Sequence, residues 1–185
     1  MLYVYLFLAI VTFIAVGMSI LQEHTDLRIF SVLIRGFFVI YVSIVLYITV
    51  FSRVPGTEKL AKLEVFRFRE CISLNYGWTK TIYVLITDGF SSAFHLRSTK
   101  IISDMLLNIL MFVPMGVLLP YMNPELSMKG ICLIAFGTTL LIETSQYYLM
   151  RGCFETDDLI MNVLGAIAGY HLNKIILKAR KDSGE

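Results

Sequence analysis

Apolar residues in this chain gather in runs too long for the core of a small soluble domain. A helix rising about 1.5 Å per residue needs about 20 mostly apolar residues to cross a bilayer. Five windows meet that need: residues 2–21, 29–51, 104–122, 130–150 and 157–177. The first lacks a positively charged lead-in and ends in Gly17-Met18-Ser19-Ile20-Leu21-Gln22, so it reads as a retained helix rather than a cleaved signal. One long polar stretch, 52–103, separates the second window from the third. Its half-apolar run 81–96 carries Asp88, Gly89 and His95, too polar to span and suited to the interface in preference to a re-entrant segment. In the same stretch Phe66-Arg67-Phe68-Arg69 alternates aromatic and basic residues, which reads as a solvated juxtamembrane segment in preference to a headgroup-binding strip. The expected fold class is all-α, a polytopic membrane helical bundle of about five transmembrane helices with one long polar loop between the second and third. Residues 1–28 are expected as an additional N-terminal helix, 29–178 as the main membrane domain, and 179–185 as a polar tail.

Composition supports that reading. Hydrophobic residues make up 57% and charged ones 16%, against roughly 45–50% and 25% in soluble domains. Mean hydropathy is +0.72. A net charge of +2 from dispersed basic residues gives no footprint for nucleic acid, and no such partner is expected. Cys71, Cys132 and Cys153 show no C-x-x-C spacing, and the three histidines are scattered. No metal, cofactor or disulfide framework is therefore expected. Membrane lipids are the expected surroundings. Orientation is contested, because the 52–103 loop with its eight Lys/Arg and the C-terminal tail with Lys174, Lys178, Arg180 and Lys181 lie on opposite sides. Long loops weigh less than short flanks, so the C-terminus is expected in the cytoplasm.

Connectivity alone then concentrates the polar residues. The loop joining the second and third spans and the turn joining the fourth and fifth must share one face. Arg53 closes the second span, Asn108 lies near the start of the third, Glu143 and Gln146 near the end of the fourth, Arg151 in the turn, and Asp157, Asp158 and Asn162 at the start of the fifth. The opposite half is expected to be nearly pure hydrocarbon. Asp158, Asn162, Gly165 and Gly169 fall on one helical stripe, which implies one neighbouring helix, approached closely at Gly165-x-x-x-Gly169.

Each polar residue has a structural and a functional reading. Thr156 suits a helix cap, and Asp157 and Asp158 then occupy the first turn, where the helix dipole favours negative charge by about 0.3–1 kcal/mol. Glu143 is different: a charge deep in a span costs roughly 2.5–3.5 kcal/mol on insertion scales. It needs a partner or a protonated carboxyl; Arg151 is placed to supply charge and Gln146 to orient it. Pro114 is expected to kink or open its helix beside Asn108, which is placed to bond the freed backbone. Arg35 is expected to snorkel to the other surface.

The segments Asn108–Pro120, Ile142–Gly152 and Thr156–Tyr170, taken in order, resemble the VanZ-like family of bacterial membrane proteins. The matching pattern is Asn-x-x-x-Phe-x-Pro-x-Gly, Glu-x-x-Gln, an Arg before an Asp-Asp pair, and Asn-x-x-Gly-x-x-x-Gly. Coverage runs from about Tyr47 to Tyr170, with Thr49 and Arg53 similar to the family's Thr-x-x-x-Arg. Leu63-Glu64-Val65-Phe66 departs from the Asn-Leu-x-Pro-Phe that often follows, so the loop residues are not carried over. The resemblance implies a four-helix core to which the first span is added. It also implies a polar pocket of Arg53, Asn108, Glu143, Gln146, Arg151, Asp157, Asp158 and Asn162 in the outer leaflet, and a link to resistance against the lipoglycopeptide teicoplanin.

Three functions fit these residues. The first is an envelope protein that holds a lipid-linked cell-wall precursor or a lipoglycopeptide in a one-leaflet polar pocket. The second is an intramembrane enzyme with Glu143 or Asp158 as general acid or base and Arg53 or Arg151 holding an anionic substrate. The absence of a serine or cysteine paired with histidine, and of a metal cluster, lowers that reading. The third is a helical scaffold whose polar residues only lock helices together.

Overall fold

The computed structural model describes residues 17, 27–63, 78–89 and 97–182. The expected first span and the Phe66–Arg69 strip lie outside the described residues, Gly17 excepted. Helix α1, Leu27–Leu46, runs into a π-helical turn, Tyr47–Phe51; then follow β1 (Leu60–Lys62), α2 (Trp78–Thr87), α3 (Arg97–Met122), α4 (Met128–Tyr148), β2 (Cys153–Glu155) and α5 (Thr156–Asp182). Four helical stretches are long and apolar enough to cross a membrane: Ile29–Phe51, Ser103–Met122, Met128–Tyr148 and Thr156–Ala179. The protein is an all-α membrane helical bundle. Val32, Leu33, Val39 and Ile40 of α1 and Leu133 and Leu141 of α4 point outward. Such apolar stripes are stable only in a solvent as apolar as themselves.

Helix α3 is the core element. Its residues from Met111 to Leu119 are buried, packed by α1 on one side and α5 on another. Helices α3 and α5 point the same way and come closest of all. A Cβ at Gly165 would collide with the Ile109 carbonyl, one at Gly169 with the Val113 carbonyl, and one at Gly116 with the Ala166 carbonyl. The small-residue spacing of α5 thus has a definite partner, backbone against backbone.

The expected third span changes at its start. Helix α3 starts at Arg97, about two turns earlier than the apolar pattern reads. It also continues through both Pro114 and Pro120. Near these prolines neighbouring helices bond its carbonyls: Tyr41 Oη donates to Met111 O (2.6 Å) and Asn173 Nδ2 to Val117 O (3.1 Å). Asn108 makes no such bond among the described residues. Asn173, fully buried toward the far end of α5, also corrects the expectation of a nearly pure hydrocarbon half. A polar side chain survives there because a backbone carbonyl satisfies it.

The rim at the other end is built by the connections. Strands β1 and β2 pair in parallel, Leu60 opposite Cys153 and Lys62 opposite Glu155. Lys62 Nζ meets Glu155 Oε1 at 2.8 Å across this pair. The chain after α1 is thereby tied to the chain entering α5.

Candidate functional site: a polar cavity at one end of the bundle

Helix α4 ends in a turn that places the site residues. Arg151 N–H donates to Gln146 O (2.9 Å) and Met150 N–H to Tyr147 O (3.3 Å), while Met150 takes φ = 53°. This is the Schellman pattern with a methionine where glycine is usual. It reverses the chain so that Arg151 points at the end of α1. There its Nη1 donates to Phe51 O (2.7 Å) and Arg53 O (3.1 Å). Carbonyls at a helix C-terminus carry partial negative charge, so a guanidinium is well matched to them.

That contact overturns the expected pairing of Arg151 with Glu143. Glu143, 1% exposed, instead accepts the backbone N–H of Glu155 through Oε2 at 3.0 Å. Glu155 stands immediately before α5, so the buried carboxyl sits at the positive end of that helix. Gln146 does not orient Glu143 either; its Oε1 accepts from Arg53 Nη1 at 3.2 Å. Gly152 belongs to the same arrangement, since a Cβ there would strike Gln146 Oε1 and approach Arg53 Nη1 to 2.8 Å. Gln146 and Gly152 therefore aim Arg53.

The expected single stripe on α5 divides between two neighbours. Asn162 turns to α4, where its Nδ2 donates to Thr139 Oγ1 (2.6 Å), and Gly165 and Gly169 face α3. Both Asn162 and Thr139 are buried. The Oδ1 of Asn162 has no hydrogen-bond partner among the described residues. Asp157, in the first turn of α5, is 4% exposed, whereas its neighbour Asp158 is half-buried.

A cavity of about 300 Å³ opens between these elements, lined by Ile48, Arg53, Asp104, Leu107, Asn108, Cys153, Glu155 and Asp158. Three of the eight sequence candidates, Arg53, Asn108 and Asp158, reach it. Glu143, Gln146, Arg151, Asp157 and Asn162 do not line it; they form a supporting layer around α4 and the α5 start. Glu143 remains an electrostatic neighbour of Asp158, Glu155 and Arg53. Asn108 and Asp158 make no hydrogen bond or ion pair among the described residues. Each faces the cavity from a different helix.

The expected pocket omits Asp104 and Glu155, which line the cavity, and Thr139, which bonds Asn162 behind it. Asp104 and Asn108 are four apart on one face of α3, and Thr139, Glu143 and Gln146 repeat at four and three on α4. That periodicity groups Asp104 with Asn108, and it was a usable signal for Thr139 as well. For Glu155 no local signal exists, because the pairing of β1 with β2 puts it there. Among the described residues no cluster of His, Cys, Asp and Glu is arranged to hold a metal ion.

Four apolar spans, two helices in backbone contact and a polar cavity at the rim of the bundle define a small polytopic membrane protein. The sequence model of VanZ/LLP1 matches residues 38–177, and the chain belongs to that family. The matched region holds every residue of the cavity and of its supporting layer, and extends beyond the Tyr47–Tyr170 stretch that carries the motif resemblance. No curated protein and no solved structure matches the chain.

Proposed function

We propose that this VanZ/LLP1 protein is a bacterial envelope protein of the cell membrane that binds the head of a lipid-linked wall component or of a lipoglycopeptide in the rim cavity, and through it contributes to teicoplanin resistance. One observation carries the reading. Asn108 and Asp158, from two different helices, face the same cavity and make no hydrogen bond or ion pair among the described residues. A polar group that is half-buried and unbonded is costly unless water or a ligand completes it. The cavity, about 300 Å³, lies at the lower end of small-molecule sites, which span roughly 300–1,000 Å³. It suits a head group rather than a whole antibiotic.

The test pairs two readouts in the native host: membrane abundance and teicoplanin susceptibility. Asp158→Asn and Arg53→Ala are expected to lose resistance at near-normal abundance. A parallel fall in abundance and resistance would favour the scaffold reading, and unchanged resistance in both variants would remove the binding site.

The enzyme reading keeps one specific support, the proximity of Glu143 to Asp158, since paired carboxyls can divide acid and base roles. Glu143 is held behind the cavity by the Glu155 amide, which leaves Asp158 as the base that would meet a substrate. A radiolabelled wall-precursor pool that changes chemically, rather than being retained unchanged, would decide for the enzyme.

A further inference from the structure

Residues 54–62 leave the end of α1 through Pro55-Gly56 and finish as β1. Every one of them is exposed, so the segment buries no apolar side chain of its own. Among the described residues, four kinds of contact hold it. The Gly56 N–H donates to Met150 O (2.6 Å). The Lys59 ammonium lies over the Tyr147 and Tyr148 rings, 5.7 and 5.0 Å from their centroids. Strand β1 pairs with β2 over three residues, and Lys62 meets Glu155 at 2.8 Å.

These contacts are of kinds that hold weakly in water. Exposed ion pairs and cation–π contacts add little to stability, and a two-stranded sheet this short does not stand alone. A segment without buried apolar contacts, tied by solvent-exposed bonds, opens locally while the rest of the fold persists. The frame beneath it is of another kind. Arg151 is bonded to the Phe51 and Arg53 carbonyls, and α3 and α5 touch backbone to backbone.

The segment rests on the wall of the cavity. Side chains alternate along a strand, so Cys153 and Glu155, which both line the cavity, share one face of β2. Register partners in a sheet project to the same face, so Leu60 and Lys62 continue that wall outward. The Lys62–Glu155 contact lies on this face. Ala61 and Phe154, also partners, lie on the other.

We propose that residues 54–62 form a detachable strap at the mouth of the rim cavity: with β1 on β2 the mouth is narrowed, and with β1 lifted it widens to pass a bulky ligand. The strap governs entry, so it is tested without a ligand and separately from the binding reading.

Full-length protein in detergent carries Cys71→Ser and Cys132→Ser, which leaves Cys153 as its one thiol. In this background Ala61→Cys with Phe154→Cys closes a disulfide that pins β1 to β2, and Ala61→Ser with Phe154→Ser is the control. Mass spectrometry times the reaction of Cys153 with a maleimide that bears a bulky polar group. The pinned strap is expected to slow it about tenfold against the control. Lys59→Ala with Lys62→Ala, which removes two of the contacts at exposed positions, is expected to speed it by about fivefold, and this pair carries the test if the cysteine pair does not fold or oxidise. Methyl methanethiosulfonate, a small reagent, is expected to change by less than about twofold in every form. Hydrogen exchange of the unsubstituted chain adds a second reading: amides of residues 56–62 are expected to exchange at least about a hundredfold faster than those within α4. Equal maleimide rates in all forms, an equal slowing of the small reagent, or exchange at 56–62 as slow as within α4 overturns the strap.

Discussion

Helices α3 and α5 run side by side for their whole shared length, yet their two ends behave oppositely. Toward the middle and far end, Gly165, Gly169 and Gly116 let the backbones touch. At the near end, Asp104 and Asn108 on α3 and Asp158 on α5 stand apart around a cavity of about 300 Å³. The comparison teaches that side-chain size and charge, read in register along one helix pair, decide where a membrane bundle closes and where it opens. Lipid cannot squeeze helices together hydrophobically, so close packing has to come from small residues. Carboxyls and amides resist the same closure because burying them costs their hydration.

The largest effect is expected at the closed end. Gly169→Leu drives a side chain into the Val113 carbonyl and the Gly116 Cα, and overpacking of this kind costs about 1–3 kcal/mol or more. Membrane accumulation measured by quantitative blotting should fall severalfold, whereas Gly137→Leu, at a position with nothing within 4 Å of its Cβ, should accumulate normally. Similar losses in both would mean that backbone contact is not what holds α3 to α5.

A smaller effect is expected where the two regimes meet. Thr139→Val removes the acceptor of Asn162 Nδ2, whose Oδ1 has no partner among the described residues, and should destabilise the purified protein by about 1–3 kcal/mol. A thermal-unfolding midpoint unchanged in detergent would show that this buried amide is satisfied in another way. At the open end, Gly152→Ala disturbs the Arg53–Gln146 bond and should cost about 1 kcal/mol of stability. Its effect on resistance should exceed its effect on abundance, because it misdirects the guanidinium that lines the cavity. The smallest change belongs to Met150→Gly. Relief of a left-handed residue is worth roughly 1–2 kcal/mol, and the added chain entropy of glycine offsets about 0.5–1 kcal/mol of that. A slight rise in the unfolding midpoint is expected, and a marked fall would mean that the Met150 side chain matters more than its backbone.

How much of this was legible in the sequence follows the same division. The spans are written in long apolar runs, and the gathering of Arg53, Asn108, Glu143 and Asp158 at one face follows from counting crossings. The closed end was legible too, since Gly165-x-x-x-Gly169 announces a close approach. Its partner was not, because Ile109 and Val113 contribute backbone carbonyls, which any residue type has. Glu143 shows the other limit. Its charge demanded a partner, and Arg151 was the nearest cation along the chain, yet the partner is the Glu155 amide. Backbone donors leave no mark in composition, and the turn at Met150 that swings Arg151 onto α1 lacks the glycine that would have signalled it. The same blindness hid Glu155, placed in the cavity wall by a three-residue strand pairing.

The most direct test of the open end uses the chain's own cysteines. Cys153 lines the cavity, and Cys132 sits near the start of α4, toward the opposite membrane face, half-buried beside the outward-facing Leu133. With Cys71 replaced by serine, sealed membranes are treated from the side of the 52–103 loop with a small impermeant methanethiosulfonate. The account requires Cys153 to react while Cys132 stays unmodified. A Cys153 that reacts no faster than Cys132 would contradict a water-filled cavity between α3 and α5.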